Sequence, residues 1–383
     1  MSAAPAGRIR VLHLIHSVTH GGIESALINW LRHFDADRFD VRVACLAFDR
    51  DREKDFLRAA RIAGLDVILV PWHSRKPFLK AARFLGDLVR QQQIDIIHTH
   101  AYYGDALGAL TKLFARVKVI ATVYIWGKYE LHRQIMQAMD WTALRFVDCV
   151  TAHCEETRRL TVKLGFSSKR VRTLFTGFPD ERPEPDARRR MEFRRSAGVA
   201  DDEILLLNIA RIHPEKAHDQ LIESFKLVHD RHPNTRLWIS GVGYASLQSG
   251  YEQMAERMGL GSHVEFIGFQ QDLWPFLEAA DMMVHPSHVE GVPVAICYGM
   301  CSALPIVVSD VGSLYEIIES GVQGIRVPEN DVAGFAKAVS GLIEDPQRAR
   351  SLGDAARQFI TTKYSIQTAV RRVEDTYREV LAQ

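Results

Sequence analysis

Short, β-branched apolar runs alternate with helix-length amphipathic segments along nearly the whole chain, and this alternation constrains the fold more than any other feature. Apolar runs of this length suit strands that are buried on both faces, and strands that alternate with helices form parallel sheets. The strands predicted in the first half are Arg10–Ile15, Val41–Ala47, Asp66–Val70, Ile94–His98, Val117–Val123 and Cys149–Ala152. The helices predicted between them are Glu24–Phe34, Lys54–Ala63, Leu79–Gln92, Ala106–Ala115 and Leu131–Arg145.

A proline-rich segment in the middle of the chain predicts a linker. Residues Gly177–Pro185 contain three prolines in a charged stretch, and proline lacks the backbone donor that helices and strands use. The alternation then restarts, with strands predicted at Ile204–Ile209, Arg236–Ser240, Val264–Phe266, Met282–His285, Ile306–Ser309 and Gly324–Val327. From about Asp345 the sequence is helical. We therefore predict an α/β protein of two doubly wound, Rossmann-like parallel-sheet domains that face each other across a cleft.

Composition restricts the class of protein. Of the 383 residues, 47% are apolar and 25% are charged, which is typical of a globular chain. No apolar run approaches the roughly 20 residues that a membrane-spanning helix needs. The five cysteines are scattered and have no His or Cys partners at zinc spacing, which favours reduced thiols in the cytoplasm and no metal centre.

Charge is divided unequally between the two halves. Residues 1–180 carry 27 Lys+Arg and 18 Asp+Glu, a balance of +9, whereas residues 181–383 carry 21 and 29, a balance of −8. A basic first half suggests an anionic partner, such as a lipid phosphate or a membrane surface. One basic helical face, with apolar residues interleaved, could dock there: Arg75, Lys76, Phe78, Lys80, Arg83, Phe84, Leu88 and Arg90. Solvated surface helices that pack on their sheet explain the same pattern equally well.

Glycine-rich turns follow two of the predicted strands. Gly21 and Gly22 come after the first strand, and Gly241 and Gly243 come after a strand of the second half. Glycine allows a tight turn and a close approach of backbone to ligand, and the helix that follows offers free N–H groups to a phosphate. A plain turn between strand and helix is the alternative at both places.

Two cations follow the first strand of the second half. Arg211 and Lys216 stand five residues apart on a loop that enters a helix, where a guanidinium and an ammonium can hold a diphosphate from two sides. The alternative is two solvated cations. That alternative is weaker, because cations are disfavoured at a helix N-terminus unless an anion is bound.

The most specific motif lies around Glu290. The segment from Asp281 runs through a strand, turns at Pro286-Ser287, and reaches Glu290-Gly291 just before a helix. A carboxylate at this place can accept hydrogen bonds from sugar hydroxyls, while exposed backbone N–H groups face a phosphate. Asp281 and a second motif aspartate, Asp310, are better explained as helix caps.

The order of these motifs resembles a known family. The region from about Ile204 to Tyr364 is similar to the nucleotide-binding domain of the family-4 retaining glycosyltransferases (glycosyl transferases group 1), which have the GT-B fold. Six segments match in the family's order: Arg211 to Lys216, Gly241 to Gly243, Val264 to Gly268, Ala280 to Gly291, Pro305 to Gly312, and Gly324 to Pro328. The first half is more loosely similar, through Gly21-Gly22-Ile-Glu24 and Ile96-Ile-His98-Thr-His100.

The resemblance implies roles for these residues. Arg211 and Lys216 would bind the donor diphosphate, and Glu290 would accept hydroxyls of the donor sugar. The other positions on the donor side are Gly21, Gly22, Gly241, Gly243, Gly268, Gly291, Val292, Pro293, Val294 and Tyr298. The domains would span 1–178, completed by the C-terminal helix 365–383, and 179–364. In this fold arginine, lysine and helix dipoles meet the diphosphate charge, so no metal or other cofactor is expected.

The sequence departs from the family's pattern at three places. Tyr298 replaces a second glutamate that usually holds ribose hydroxyls, and a phenol cannot chelate a diol. Tyr124 replaces a histidine after the fifth strand, near the reacting sugar carbon. Phe175-Thr-Gly177 replaces the family's Pro-Asn-Gly. We also expect His98 and His100 to face opposite sides of their strand, with one in the core and His100 or Tyr124 on the acceptor or sugar side.

The resemblance implies a hexosyltransferase-type enzyme of class EC 2.4. It would move a sugar from a UDP- or GDP-sugar to a hydroxyl of a lipid-linked or polysaccharide acceptor, with retention, in cell-envelope or exopolysaccharide synthesis. We expect a cytoplasmic protein, at the inner face of the membrane, with no nucleic-acid partner. The departures leave two alternatives open: a scaffold or binding protein that keeps the fold with reduced catalysis, and another GT-B nucleotide-sugar enzyme such as an epimerase or phosphorylase.

Overall fold

A computed structural model describes residues 7–15, 27–28, 30–47, 57, 60–61, 64–72, 76–124, 131–178, 182–291 and 293–383. The chain divides into two compact units, which are treated separately below. Unit 1 consists of Met1–Gly177 together with Ile366–Gln383, and unit 2 consists of Phe178–Ser365.

Unit 1 is built on a seven-stranded parallel sheet. Its strands are β1 (Ile9–Ile15), β2 (Phe39–Ala47), β3 (Val67–Pro71), β4 (Ile96–His100), β5 (Lys118–Val123), β6 (Cys149–Ala152) and β7 (Val171–Thr173). They lie in the order β3-β2-β1-β4-β5-β6-β7. The order reverses between β1 and β4, so the loops after these two strands diverge and leave a crevice at the carboxyl edge of the sheet.

Helices cover both faces of this sheet. The described helices of the first stretch of unit 1 are α1 (Phe78–Gln92), α2 (Tyr102–Thr111), α3 (Leu131–Ala143) and α4 (Glu155–Lys163). Along β1, Leu12 and Leu14 point to the core formed with α1 and α2, whereas Val11 points to the opposite face. This alternation is the period-two pattern of a strand that is buried on both sides.

Unit 2 repeats the same design with six parallel strands. These are β8 (Ile204–Ile209), β9 (Thr235–Ser240), β10 (Val264–Gly268), β11 (Met282–His285), β12 (Ile306–Ser309) and β13 (Ile325–Val327), in the order β10-β9-β8-β11-β12-β13. Its helices are α5 (Ala187–Ser196), α6 (His218–Arg231), α7 (Ala245–Arg257), α8 (Trp274–Ala279), α9 (Val294–Cys301), α10 (Val332–Glu344) and α11 (Pro346–Lys363). The order reverses between β8 and β11, which places the crevice of this sheet after those strands.

The last helix, α12 (Ile366–Leu381), belongs to unit 1. Its buried residues recur at alternating spacings of three and four, which makes one continuous apolar stripe: Ile366, Val370, Val373, Tyr377 and Val380. This stripe packs on Val11, Ile96 and Ile120, the outer face of β1, β4 and β5. The C-terminal helix therefore closes one face of the first sheet.

Unit 1 also buries a pair of carboxyl groups. Asp105 on α2 and Asp140 on α3 are both at most 2% exposed and hydrogen-bond to each other, and Thr99 of β4 donates to Asp105. Burial raises the pKa of both groups, and the charge of Asp105 raises the pKa of Asp140 further, to about 10. One proton is therefore shared between the two carboxyls near neutral pH.

Two doubly wound parallel sheets were predicted, and the structure confirms them. The expected strands are present, and the prediction missed only β7, at the edge of the first sheet. Helix α2 begins four residues before the expected Ala106. Of the helix predicted at Glu24–Phe34, the described residues Leu27, Ile28, Trp30 and Leu31 are helical. The helix predicted at Lys54–Ala63 lies largely outside the described residues. None of the described helices combines the length and the apolar character needed to cross a membrane.

Candidate active site

The site predicted in unit 2 forms at the carboxyl ends of β8 and β11. Lys216 ends a short 3-10 turn, Pro214–Lys216, in the loop after β8, and Glu290 lies in the loop after β11. Lys216 Nζ lies 2.6 Å from Glu290 Oε1. The two side chains are 15% and 4% exposed, so the ion pair is shielded from water. Two residues predicted from separate motifs are thus brought into direct contact.

His285, the last residue of β11, contacts the same carboxylate. Its Nε2 lies 2.7 Å from Glu290 Oε1. Burial alone would raise the pKa of Glu290, but His285 and Lys216 lower it to about 2. Glu290 is therefore an anion at neutral pH. Its second oxygen, Oε2, has no hydrogen-bond partner among the described residues, so it can accept a hydrogen bond from a ligand.

Asn208 of β8 fixes the orientation of His285. Its Nδ2 donates to Val284 O at 2.8 Å and lies 3.3 Å from His285 Nδ1. An amide nitrogen can only donate, so this pattern assigns the lone pair to Nδ1 and the proton to Nε2. His285 then donates its Nε2 proton to Glu290. Asn208, His285, Glu290 and Lys216 form one buried polar chain, which we call the carboxylate chain.

Glycines bring the backbone close around this chain. Gly312 has φ 55°, and a Cβ there would lie 1.8 Å from Glu290 O. Any other residue at position 312 would strain the backbone and push the Glu290 loop away. Gly241 and Gly243 allow a similarly close approach to the loop after β8. A Cβ at Gly241 would lie 1.9 Å from Ala210 O, and a Cβ at Gly243 would lie 1.9 Å from Ile212 O. These two glycines are therefore required for packing, because they let the loop that carries Arg211 lie against the strand end.

Most of the other predicted donor-side residues that the structure describes lie in the loops and at the ends of strands and helices of unit 2. Arg211 follows β8, and its side chain is 69% exposed. Gly291 follows Glu290, Pro293 is the N-cap of α9 and Val294 is the first residue of that helix. Gly268 ends β10, and its carbonyl accepts a hydrogen bond from Gly241 N. Gly21, Gly22 and Val292, also predicted on the donor side, lie outside the described residues.

Tyr298 lies on α9 in an aromatic setting. Its ring meets Trp274 edge-on at 5.4 Å between centroids and Phe178 at 6.4 Å. Both neighbours belong to unit 2. The position at which the family has a second carboxylate is therefore packed against aromatic rings in this protein.

Unit 2 also has a cavity of about 310 Å³, whose wall includes none of the predicted site residues that the structure describes. It is bounded by Arg182, Arg190, Trp274 and the start of α5. Arg190 is already bound to Asp281, at 2.7 Å. Asp281 also accepts from Leu205 N at 2.8 Å, so it ties α5 to β8 and does not cap a helix as expected. Asp310, likewise expected to be a cap, pairs instead with Arg326.

In unit 1, three histidines cluster at β1 and β4. His13 Nδ1 lies 3.0 Å from His100 Nε2, and the rings of His98 and His100 stack at 4.7 Å between centroids. Tyr377 of α12 joins them, with its hydroxyl 2.7 Å from His98 Nδ1 and 3.1 Å from His13 Nε2. We call these four residues the histidine cluster. All four are buried.

His98 and His100 therefore lie on the same side, and the expectation that they face opposite sides of the strand is wrong. Residues two apart on a strand share a face, because successive side chains alternate. Burial lowers the pKa of His13 and His98 well below the usual range and that of His100 to about 3. All three rings are therefore neutral at physiological pH.

The histidine cluster is close enough to be considered as a metal site, since one nitrogen of each ring lies within 4.8 Å of the others. The hydrogen bonds and the ring geometry fit a polar network better. Every ring nitrogen of the three histidines has a hydrogen-bond partner. The two partners outside the cluster are Thr122 Oγ1, at 2.7 Å from His98 Nε2, and Tyr124 Oη, at 2.8 Å from His100 Nδ1. Stacked rings also do not point their nitrogens at a common ion.

The basic face expected on α1 is only partly present. Phe84 is partly buried and Leu88 is buried, and both pack into the core of unit 1, as does Phe78 at the start of the helix. They do not form an outward apolar stripe, because the helix uses them to cover its own sheet. Lys80 and Arg83 remain exposed. Arg75 lies outside the described residues.

Four important residues were not assigned a role from the sequence. His285 stands inside the Glu290 motif, and Asn208 interrupts an otherwise apolar strand, which is itself a signal of a buried polar contact. His13 interrupts the apolar run of β1 in the same way. Tyr377 carries no such signal, because its partners lie in distant parts of the chain.

Comparison with known proteins shows the family to which the chain belongs. The family model described as "Glycosyltransferase Family 4" matches residues 20–182, and the model "Glycosyl transferases group 1" matches residues 189–359. Together the two models cover most of the chain. The chain belongs to the family-4 glycosyltransferases.

Relatives and solved structures support the family and its fold. EpsD of Bacillus subtilis (strain 168), a provisionally assigned glycosyltransferase, is 27% identical over 316 residues, which cover 79% of this chain and 82% of that protein. An Escherichia coli UDP-Gal:alpha-D-GlcNAc-diphosphoundecaprenol alpha-1,3-galactosyltransferase is 20% identical over 98% of both chains. The crystal structure of Anabaena Alr3699/HepE with UDP-glucose matches with a TM-score of 0.85 and 20% identity, over 97% of this chain and all of that one. The fold of this glycosyltransferase is GT-B.

Proposed function

We propose that this glycosyltransferase takes its sugar from a nucleoside diphosphate sugar, and that unit 2 binds this donor. The observation that carries the proposal is the buried Glu290 anion, held by Lys216 and His285 at the switch point of the second sheet. An anion with one oxygen left to accept hydrogen bonds suits sugar hydroxyls, which are donors. UDP is the favoured nucleotide, because a structure of similar fold, that of Alr3699/HepE, was solved with UDP-glucose.

Lys216 and Arg211 would supply the positive charge for the diphosphate. An ammonium has three donors, so Lys216 can bind Glu290 and a phosphate oxygen together. Arg211 is exposed and can reach a ligand from the loop beside it. During transfer, negative charge builds on the departing diphosphate, and fixed cations stabilise it more than they stabilise the ground state. We propose that these side chains replace a metal ion.

The acceptor proposal rests on relatives. The name of the Escherichia coli relative specifies a sugar on diphosphoundecaprenol as its acceptor. We infer that this enzyme also transfers to a hydroxyl of a lipid-linked or polysaccharide glycan, in cell-envelope or exopolysaccharide synthesis. Retention of the anomeric configuration follows from the family resemblance alone, and NMR of the product's anomeric proton would test it.

The first test is thermal unfolding of the pure protein with UDP, GDP, ADP or NAD, each with and without EDTA. A ligand at ~100 times its dissociation constant adds about 2.7 kcal/mol to the stability of the native state. We expect UDP to raise the Tm, NAD to have no effect, and EDTA to leave the UDP shift unchanged. Glu290→Ala should reduce the additional shift given by UDP-glucose, and Glu344→Ala, at a surface ion pair, should not.

The alternatives give different results in the same assay. A shift with GDP alone would change the donor base and keep the donor site. A UDP shift that disappears with EDTA would contradict metal independence. No shift with any nucleotide would overturn the proposal and favour a scaffold in which the packing of Tyr298 has replaced the ribose contact.

We also propose that unit 1 contacts an anionic membrane surface. Two large apolar side chains, Leu113 and Phe146, are 73% and 64% exposed, and Lys112, Arg116 and Arg145 stand beside them in sequence. Lys112 Nζ lies 3.2 Å from Phe146 O, so the ends of α2 and α3 form one patch. Apolar side chains framed by cations match an anionic bilayer surface.

Vesicle sedimentation tests this contact. We expect the protein to sediment with vesicles of phosphatidylglycerol and phosphatidylcholine, and not with phosphatidylcholine alone. The double variant Leu113→Ser, Phe146→Ser should lose most of this binding. Leu227→Ser, which removes an exposed leucine of unit 2, is the control. Equal sedimentation of all three proteins would contradict the patch.

A further inference from the structure

A small cavity of unit 1 lies where strands β4, β5 and β6 end. His100, Thr122, Tyr124 and His153 contribute polar side chains to its wall, and Trp30 contributes an aromatic one. The cavity has room, about 10 Å³, for the centre of a single water-sized sphere. That volume is close to the least that holds one water molecule, so the cavity fits one hydroxyl group and excludes a whole sugar ring.

His153 differs from the other histidines around this edge of the sheet. It is 7% exposed, and its Nδ1 is buried without a hydrogen-bond partner among the described residues. In the histidine cluster, by contrast, every ring nitrogen has a partner. A buried polar atom left without a partner costs about 1–3 kcal/mol, so a ligand hydroxyl that bonds to His153 Nδ1 would recover that cost.

The chemistry of the wall matches a hydroxyl group and not an ion. Burial lowers the pKa of His153 to about 4, so its ring is neutral at pH 7, and the ring of His100 is neutral as well. Among the residues that the structure describes, no carboxylate, lysine or arginine lines the cavity. Neutral imidazoles and hydroxyls both donate and accept hydrogen bonds, as an alcohol does.

Aromatic rings flank the same place. The ring of Tyr124 lies 5.6 Å from that of His153 between centroids, and Tyr124 Oη is held by His100 Nδ1 at 2.8 Å. Trp30 is fixed by its indole N–H, which donates to Thr176 O. Rigid aromatic faces beside a single polar pocket suit a sugar, whose ring carries apolar C–H faces and separate hydroxyls.

We propose that this cavity is a subsite for one hydroxyl of the glycosyl substrate, and that His153 Nδ1 forms the hydrogen bond that recognises it. The inference rests on the proposed function, since it assigns a specificity-determining residue to that reaction. The hydroxyl belongs either to the sugar of the donor or to the acceptor glycan. These two sources share the same chemistry and are separated by the test below.

The first experiment compares wild type with His153→Phe, His153→Asn and His263→Phe. Phenylalanine fills the cavity without a hydrogen bond, and asparagine keeps a polar atom near the place of Nδ1. His263 of unit 2 is the matched control, because its Nδ1 is also buried without a partner among the described residues. We expect His153→Phe to lower kcat/KM about tenfold, asparagine to restore part of it, and His263→Phe to stay within twofold.

Deoxy substrates then identify the hydroxyl. Wild type should discriminate against one monodeoxy analogue of UDP-glucose, or of the acceptor sugar, and His153→Phe should lose that discrimination. The substrate whose KM changes shows whether donor or acceptor occupies the subsite. Turnover in all four proteins with the same discrimination would overturn the inference and leave the proposed function intact.

A binding measurement decides the case without turnover. Saturation-transfer NMR is recorded with UDP-glucose and with the methyl glycosides of glucose, galactose and N-acetylglucosamine. We expect at least one sugar to receive saturation from wild type and His263→Phe but not from His153→Phe, with Tm values of all three alike. If the wild type neither turns over nor contacts any sugar through His153, the cavity holds only a water molecule and the inference fails.

Discussion

The two sheets share one topology, yet their carboxyl edges carry opposite kinds of polar chemistry. In unit 2 the carboxylate chain joins Lys216, Glu290 and His285, and it carries charge that is largely shielded from water. In unit 1 the histidine cluster is neutral, buried and closed by Tyr377. A charged edge with an oxygen free to accept hydrogen bonds suits an anionic donor and its sugar hydroxyls. A neutral edge whose hydrogen bonds are all satisfied stabilises unit 1. The proposed contact with a substrate hydroxyl then lies beside the histidine cluster, at His153.

The largest effect should come from removing the charge of Glu290. Glu290→Gln keeps the shape but leaves Lys216 and His285 without their anion, and a neutral amide accepts a hydroxyl hydrogen bond more weakly than a carboxylate in the transition state. We expect kcat/KM for the UDP-sugar to fall about 100-fold, a loss comparable to that of one preorganised active-site hydrogen bond. Glu344→Gln should be close to wild type. Equal activity of the two variants would mean that the carboxylate chain is structural, like the histidine cluster.

The histidine cluster should respond in stability more than in chemistry. Tyr377→Phe removes the hydroxyl that satisfies His98 Nδ1 and His13 Nε2, so buried nitrogens lose their partner. We expect a loss of about 2 kcal/mol in the free energy of unfolding, measured with urea. Tyr244→Phe, at a 65% exposed ring, is the control. Unchanged stability would show that water replaces the hydroxyl.

Arg211 should matter less than Glu290 because it is more exposed. Arg211→Ala removes one cation from the diphosphate, and steady-state kinetics should show turnover reduced about tenfold, which corresponds to about 1.4 kcal/mol. Arg231→Ala, at an exposed ion pair of the same unit, should change nothing. Turnover of Arg211→Ala like that of wild type would refute the diphosphate assignment.

The smallest effect concerns the carboxyl pair of unit 1. The pKa of Asp140 is raised in the folded state to about 10, so the native protein binds a proton that the unfolded chain releases above about pH 4. Stability should therefore fall as pH rises from about 4 toward 10. Asp140→Asn, which cannot ionise, should flatten this fall, so that the variant is more stable than the wild type at pH 8. Parallel Tm curves for Asp140→Asn and Asp87→Asn would contradict the shared proton.

The strands were the most predictable part of the fold. Their apolar runs are buried on both faces, and that burial is visible in the sequence as continuous apolar residues. Strand β7 was not predicted because Val171–Thr173 has only three residues and only one buried side chain. The start of α2 was missed because Gly104-Asp105 reads as a turn. Glycine is needed at position 104 because a Cβ there would approach Leu14 O to 3.2 Å, so the helix packs closely on β1. Asp105 is in the helix because its carboxyl is buried against Asp140.

The candidate site was only partly predictable. Motif spacing was enough to single out Lys216 and Glu290, but their ion pair depends on how two loops 74 residues apart meet. The histidine cluster was beyond the reach of pattern analysis, because Tyr377 Oη finds His13 across 364 residues. The shared side of His98 and His100, in contrast, is predictable from sequence, because residues two apart on a strand share a face.

The place of α12 has a consequence for how the protein is made. A ribosome delivers all seven strands of the first sheet, and then the whole of unit 2, before it releases Tyr377. Until then Val11, Ile96 and Ile120 lack the apolar stripe of α12, and His13 lacks its hydroxyl partner. Unit 2 can mature while the first unit waits with an uncovered apolar face, a state that favours aggregation or chaperone capture. Truncation within α12 would therefore destabilise unit 1, which contains the first strands of the chain, and not unit 2, which precedes α12 in the sequence.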